Sequence, residues 1–271
     1  QSSSFGKASF GAPFFVSWSM VCEFQWSGAT QRADLSRPTD LSLVLKANGA
    51  PNPSAWYVDA PSIEPVRANG FVGAVQEGGS VNFRTITFNP HGHGTHTECL
   101  GHITPTVHSV DQVFRNQPQH FACWVLSVTP QGRPNGDWVV GMEALDAMPD
   151  GHWPEALVIR TLPNDQDKQT RAWSDTNPPY FEEAVLQALV ERGVKHLLVD
   201  LPSIDRERDE GRLLGHHAFF GVPHSPRHDA SITEFIFVPD GVSDGLHLLC
   251  LAVGAIDNDA SNSRPVIYPL L

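Results

Sequence analysis

From residue 34 onward, the spacing of apolar and polar positions divides the chain into short strands. Val81–Phe88 alternates apolar and polar residues over eight positions, the pattern of a strand with one buried face. Leu41–Leu45 and Phe71–Val75 are shorter candidates. Phe121–Val128, Ala156–Thr161, Val194–Val199, Glu234–Val238 and Leu246–Val253 are apolar runs bounded by turn residues, which predict buried strands. One stretch has helical spacing. Asn177 is its candidate N-cap, Pro178 and Pro179 suit a first turn, and Glu182 and Glu183 suit the positive end of a helix. Phe181, Val185, Ala188 and Leu189 would share one face, and Gly193 would stop the helix. An apolar strand follows that glycine directly, which is half of a βαβ unit. Prolines 51, 53, 61 and 65, with Trp56 and Tyr57 among them, predict a stiff extended loop. There is no internal repeat or low-complexity tract. The expected organisation is an aromatic-rich extension over residues 1–33, packed on the body or on a partner subunit, and one strand-rich α/β domain over 34–271.

Composition narrows the function more than the fold. With 271 residues, 41% of them hydrophobic, the chain can bury one substantial core. No apolar run reaches the roughly 18 residues of a membrane span. The apolar patch Phe10–Val21 lacks the basic start and cleavage pattern of a signal peptide. Thirty acidic residues against 18 basic ones give a net charge of -12, which argues against nucleic acid and anionic membranes as partners and leaves a small-molecule substrate. Cys22, Cys99, Cys123 and Cys250 are far apart and form no CxxC, so neither a disulfide framework nor a thiolate zinc site is expected. A reducing cytoplasm is the matching location.

The chemistry concentrates at His91–His102. Within twelve residues this stretch holds His91, His93, His96 and His102, with Glu98 and Cys99, and glycines at 92, 94 and 101 let the backbone bend. Imidazole and carboxylate are ligands for divalent metals, so the stretch reads as a metal site on a loop leaving a strand; the plainer alternative is a polar loop in solvent. Three later features offer partners: Asp200–Asp205 after a buried strand, the pair His216 and His217, and Glu234 at the expected start of a strand. Asp200, Ser203 and Asp205 read as a hydrogen-bonded turn supporting the site. A Cys–His hydrolase using Cys99 is the second enzyme class.

These motifs resemble, in order, those of the cyclase-like metal-dependent hydrolases, the family of kynurenine formamidase and isatin hydrolase. Gly94-Thr95-His96-Thr97-Glu98 and His102 match the signature His-x-Gly-Thr-His-x-Asp with its following histidine. Leu157–Thr161, Gly193–Asp205 and Leu214–Phe219 resemble the later segments, and Asp34-Leu35-Ser36 and Trp56 the early ones. The resemblance implies a swivelling β/β/α fold, a small barrel-like sheet flanked by helices. It implies one or two divalent ions, Zn or Mn, held by His91, His96, Glu98, His216 and Glu234, with His217 the alternative to His216. It further implies His102 as general acid/base, Trp56 at the substrate, hydrolysis of an amide-type C–N bond, and a homo-oligomer, dimer or tetramer. Two positions depart from the pattern. Gly92 stands where the first ligand histidine is expected, so His91 or His93 must replace it, with His91 favoured. Glu98 stands where the family has aspartate. The leading reading is the hydrolase; a metal-binding, non-catalytic homologue that holds a small ligand is the alternative, which the missing first histidine favours.

Overall fold

The computed structural model describes residues 20–46, 49–146 and 153–271. Phe5, Phe10, Phe14, Phe15 and Trp18 of the aromatic extension, and His152, lie outside the described residues. The remainder of the extension forms an antiparallel hairpin, Val21–Trp26 with Ala29–Asp34, so residues 33 and 34 share one strand. Ala33 is fully buried and bridges to Leu270.

Seven strands close into a barrel-like sheet: β1 His96–Glu98, β2 His120–Val128, β3 Ala156–Thr161, β4 His196–Val199, β5 Ser231–Glu234, β6 Gly245–Val253 and β7 Ala260–Pro269. Their order is β6-β2-β3-β4-β5-β1-β7, with β7 returning to pair with β6. Strands β2 to β5 run parallel, and the remaining joints are antiparallel. Thr39–Asp40 adds a short strand to β7. The described helices are α1 Val110–Phe114, α2 Glu183–Glu191 and α3 Leu214–Phe220, with short 3-10 turns besides.

The unbroken apolar runs of β3 and β4 follow from burial on both faces. Leu157, Ile159, Leu197 and Val199 pack with Leu186 and Leu189 of α2 and with Phe219 and Phe220 of α3. Ala156, Val158 and Leu198 point the other way, into a second core with Cys123, Val125, Leu249, Leu251 and Ile267. Each large side chain fully buried in this way contributes about 1.5–3 kcal/mol. The two cores hold the strand ends, and with them the site, rigidly. All four cysteines are free, Cys99 and Cys123 being buried.

Several local expectations are corrected. The helix starts at Glu183, with Glu182 as its N-cap, and not at Asn177. Pro178 and Pro179 keep the preceding chain extended, and Tyr180–Phe181 pairs in parallel with the strand Trp138–Val140. Phe181 is therefore buried from a strand, whereas Val185, Ala188 and Leu189 are buried from the helix as expected. Val81–Phe88 yields only the strand Arg84–Thr87, exposed at every position, because it pairs with Ser62–Pro65 alone and no core backs the ribbon. Phe71–Val75 contracts to Phe71–Val72, and Leu41–Leu45 forms no strand. Glu234 ends β5 and does not begin a strand. Phe235 takes φ 55°, which breaks the ladder, and Phe235–Val238 is buried as irregular chain whose Phe235 and Ile236 N–H groups donate to Leu201 and Val199 carbonyls. The charge run at 206–210 is only partly solvated, since Arg206 pairs at 3.0 Å with Asp137, a buried residue.

Candidate metal centre

Strand register assembles the centre. Side chains alternate along β1, so His96 and Glu98 share one face. Thr97 takes the other face, where its hydroxyl meets that of Thr233 at 2.8 Å. In β5, Glu234 lies directly opposite His96. In β7, Ala260 lies opposite Glu98, and the Cys99 N–H donates to the Asp259 carbonyl at 3.0 Å, which carries Asp259 to the same edge. His91 comes from a 3-10 turn, Pro90–Gly92, whose Gly92 N–H donates to the Asn89 side chain at 3.2 Å. His102 comes from a second 3-10 turn, Leu100–Ile103. His216 lies in α3, where Asp205 accepts from the Gly215 and His216 N–H groups.

Three imidazoles and two carboxylates converge. Glu98 Oε2 is 3.0 Å from His91 Nδ1 and 3.8 Å from His96 Nε2. Glu98 Oε1 is 2.6 Å from His216 Nε2. Glu234 reaches His96 Nε2 at 3.5 Å and His216 Nε2 at 4.0 Å. Two sets of candidate ligand atoms lie within 4.8 Å of one another: His91, Glu98 and His102, and His96, Glu98 and Glu234. Glu98 belongs to both.

Each of these imidazoles has its outer nitrogen tied to an acceptor. His91 Nε2 donates to Asp259 Oδ2 at 2.9 Å, His96 Nδ1 to the Gly94 carbonyl at 3.0 Å, and His216 Nδ1 to Asp205 Oδ2 at 2.6 Å. The inner nitrogens face carboxylate oxygens, positions that a proton or a metal cation can fill. His96 Nε2 is buried with no hydrogen-bond partner, in a residue 0% exposed, and Glu98 Oε2 has only the contact with His91 Nδ1 at 3.0 Å. An unpartnered polar atom at such depth is costly, and carboxylates buried together repel. A cation resolves this. Ligand atoms about 2.0–2.2 Å from Zn²⁺ stand roughly 3.3 Å apart in tetrahedral geometry, close to the spacing seen here, and imidazoles tied at the far nitrogen are the usual metal ligands. The donor set fits a divalent ion.

The carboxylates also raise the basicity of the rings they face. Burial disfavours charge on His91, but hydrogen bonds to Asp259 and Glu98 outweigh it and push its pKa up to about 10. At His96 burial is outweighed by Glu234 and Glu98, and at His216 by Glu98 and Asp205, so both are raised. Burial of Glu98 is outweighed by His102 and His216, which hold its carboxyl well below the usual range. The clustered carboxylates draw positive charge to this spot.

A cavity of about 320 Å³ opens on the cluster, within the usual size of small-molecule sites. Trp56, His91, His102, His216 and Glu234 line it, and Arg206 and Glu207 of the charge run lie at its wall. His102 donates from Nδ1 to Asp259 Oδ2 at 3.2 Å. The remaining candidates fall elsewhere. His93 accepts from the Asn89 N–H and lines a different groove. His217 donates to the Val222 carbonyl. The buried Cys99 thiol donates to the His108 carbonyl at 3.2 Å, and burial pushes its pKa up to about 11, which removes the thiolate a nucleophile requires. Asp200 accepts from Thr161 and Lys168 away from the cluster, whereas Asp205 supports His216 directly. Asp259 is the residue that sequence reasoning missed. It sits in a polar turn far from the motif, and only its place just before β7 connects it to β1.

Residues 33–206 match the model of the putative cyclase family. The chain is 33% identical over 93 residues to the kynurenine formamidase of Bacillus cereus, a stretch of 34% of this chain and 41% of that protein. The kynurenine formamidase of Bacillus anthracis matches to the same extent, so the aligned stretch spans less than half the length of these curated relatives. Among solved structures, a potential metal-dependent hydrolase with cyclase activity superposes with TM-score 0.60 at 14% identity, covering 86% of this chain and 97% of that one. Isatin hydrolase A from Ralstonia solanacearum superposes with TM-score 0.57 at 16% identity, covering 86% and 91%. These structural likenesses establish the shared fold. The chain belongs to the cyclase family.

Proposed function

We propose that this cyclase-family member is a metal-dependent hydrolase that cleaves an amide-type C–N bond, such as a formamide or lactam. The observation that carries the reading is the buried His96 Nε2, which has no hydrogen-bond partner and lies 3.8 Å from Glu98 Oε2 and 3.5 Å from Glu234. His91, His96, Glu98, His216 and Glu234 would hold one or two divalent ions, Zn or Mn, with Glu98 shared between two positions if both fill. When bound, such an ion supplies Lewis acidity toward a carbonyl oxygen and toward water.

The protein's own groups supply the rest. His102 commits Nδ1 to Asp259, so Nε2 is the atom that takes a proton from water and returns it to the departing nitrogen. Histidine suits both directions because its ordinary pKa lies near neutrality. Trp56 gives the cavity a flat apolar wall for an aromatic or cyclic substrate. The kynurenine formamidase relatives and the isatin hydrolase neighbours support this bond class.

The test is to strip the protein with a chelator, count the metal released, and reload with Zn²⁺ or Mn²⁺ singly. Activity is then screened on formanilides, cyclic amides and lactones. Activity that disappears on stripping and returns with one ion supports the proposal. Metal binding without turnover on any of these would favour a non-catalytic ligand binder. A homo-oligomer, dimer or tetramer, is part of the proposal. It is supported by Phe71, Val75, Val81, Phe83 and Ile86, large apolar side chains exposed on and beside the Ser62–Thr87 ribbon.

A further inference from the structure

We propose that Asp259 is a positioning residue that recruits His91 to the cation site in place of a ligand at position 92. The inference rests on the metal-centre reading above and concerns how this chain completes it. As packed, position 92 has no room for a side chain unless Val58 shifts. A Cβ on Gly92 would lie 2.5 Å from Val58 Cγ2 and 3.2 Å from the Ala55 carbonyl oxygen. The neighbouring His91 offers its imidazole from the same 3-10 turn.

A histidine can face a metal with either nitrogen, and its other contact decides which. Asp259 Oδ2 stands 2.9 Å from His91 Nε2. As an ionised carboxylate it only accepts, so Nε2 keeps its proton, and Nδ1 is the nitrogen that a cation beside Glu98 would take in place of a proton. The same oxygen accepts from His102 Nδ1 at 3.2 Å, and the two rings stack with centroids 4.2 Å apart at 27°. One carboxylate thus fixes two tautomers: it turns His91 Nδ1 to the cation and leaves His102 Nε2 free for proton transfer. Asp259 can do this because its backbone is held against β1 by the Cys99 N–H, and because its side chain is mostly enclosed, 17% exposed. Its carboxyl is held below the usual carboxylate range, first by the hydrogen bond from His102 and then by that from His91.

The experiment compares the wild type, Asp259→Asn, His91→Ala and the double variant. Each is stripped and titrated with Zn²⁺ against a chromophoric chelator. Asn is nearly isosteric, so the fold is retained, but its amide can donate to His91 Nε2 and reverse the tautomer. Loss of such an outer partner typically weakens metal binding about 10–100-fold. We expect a loss of that order in Asp259→Asn, and no further loss when the substitution is made in His91→Ala. Long-range ¹H–¹⁵N spectra of the zinc-loaded wild type should show His91 protonated at Nε2 and metal-bound at Nδ1. Unchanged zinc affinity in Asp259→Asn, an equal loss in both backgrounds, or ligation through His91 Nε2 overturns the role of Asp259. A wild type that binds no Zn²⁺ instead overturns the metal-centre reading itself, so the two failures are separable.

Discussion

The substitution Gly92→Ala tests the packing behind His91. The backbone at Gly92 does not have the positive φ that excludes L-residues, so alanine is conformationally acceptable there. On that ground alone the substitution should stabilise the protein by about 0.4–1 kcal/mol, through a less flexible unfolded chain. The opposing effect is steric. The new methyl would stand 2.5 Å from Val58 Cγ2, and Val58 is β-branched with few alternative rotamers. Nor can the two segments simply separate, because the Ala55 N–H donates to the Gly92 carbonyl at 3.2 Å. Overpacking of this kind costs about 1–3 kcal/mol, so it exceeds the gain and leaves a net loss of roughly 1–2 kcal/mol. For a chain of this size that lowers Tm by roughly 2–8 °C. The assay is thermal unfolding of Gly92→Ala, Val58→Ala and the pair. In the Val58→Ala background the added methyl should be neutral or stabilising, giving a coupling of about 1 kcal/mol or more. A Gly92→Ala protein that melts at or above the wild-type temperature would refute the reasoning, and with it the claim that position 92 cannot carry a ligand.

Four further outcomes are expected. His96→Ala should lose bound metal, whereas His102→Ala should keep it and lose turnover; metal analysis showing a full complement in His96→Ala sinks the ligand assignment. Activity should survive thiol-modifying reagents and fail with chelators, because Cys99 is buried and protonated; the reverse pattern would favour a cysteine nucleophile. His196 is buried between Phe114 and Phe121, and burial depresses its pKa to about 4 from 6.5. Its neutral form is kept in the folded state while the unfolded chain takes up a proton, so stability should be full above 6.5 and fall as pH drops toward 4, by about 3 kcal/mol at 1.36 kcal/mol per unit. In His196→Gln the pH dependence of urea unfolding should be shallower by that amount, and an unaltered slope would show that the imidazole is not buried neutral. Phe83→Glu, on the exposed ribbon, should shift the protein toward monomer in light scattering, and an unchanged mass rules that surface out as the interface.

The legible parts of the fold were those where burial imposes a pattern. β3 and β4 stood out because both faces are covered, and β2 and β6 because long, mostly apolar runs lie between turn residues. Alternation misled at Val81–Phe88, because a two-stranded ribbon can alternate without any core beneath it. Helix-start signals at Asn177 were outweighed by the pairing of Tyr180–Phe181 with a neighbouring strand. Propensity describes local cost, and tertiary pairing can exceed it.

The same distinction governs the metal centre. His96 and Glu98 were readable as ligand types clustered in one stretch. That stretch reads as a loop, but His96–Glu98 is a strand, whose two-residue period puts both side chains on one face. His91, His216 and Glu234 were named from a motif pattern, and what joins them physically is long-range: the pairing of Glu234 opposite His96, and a helix start pinned by Asp205. Asp259 had no local signature at all, since a carboxylate between two strands reads as an ordinary turn. Yet it contacts both His91 and His102, and it does so because Ala260 is in register with Glu98. A one-residue slip of β7 against β1 would shift every one of these side chains off its partner. The register of β1, β5 and β7 is therefore what would couple the proposed ligand set to the proposed proton-transfer residue, and the tight packing at Gly92 is what would make that coupling run through His91.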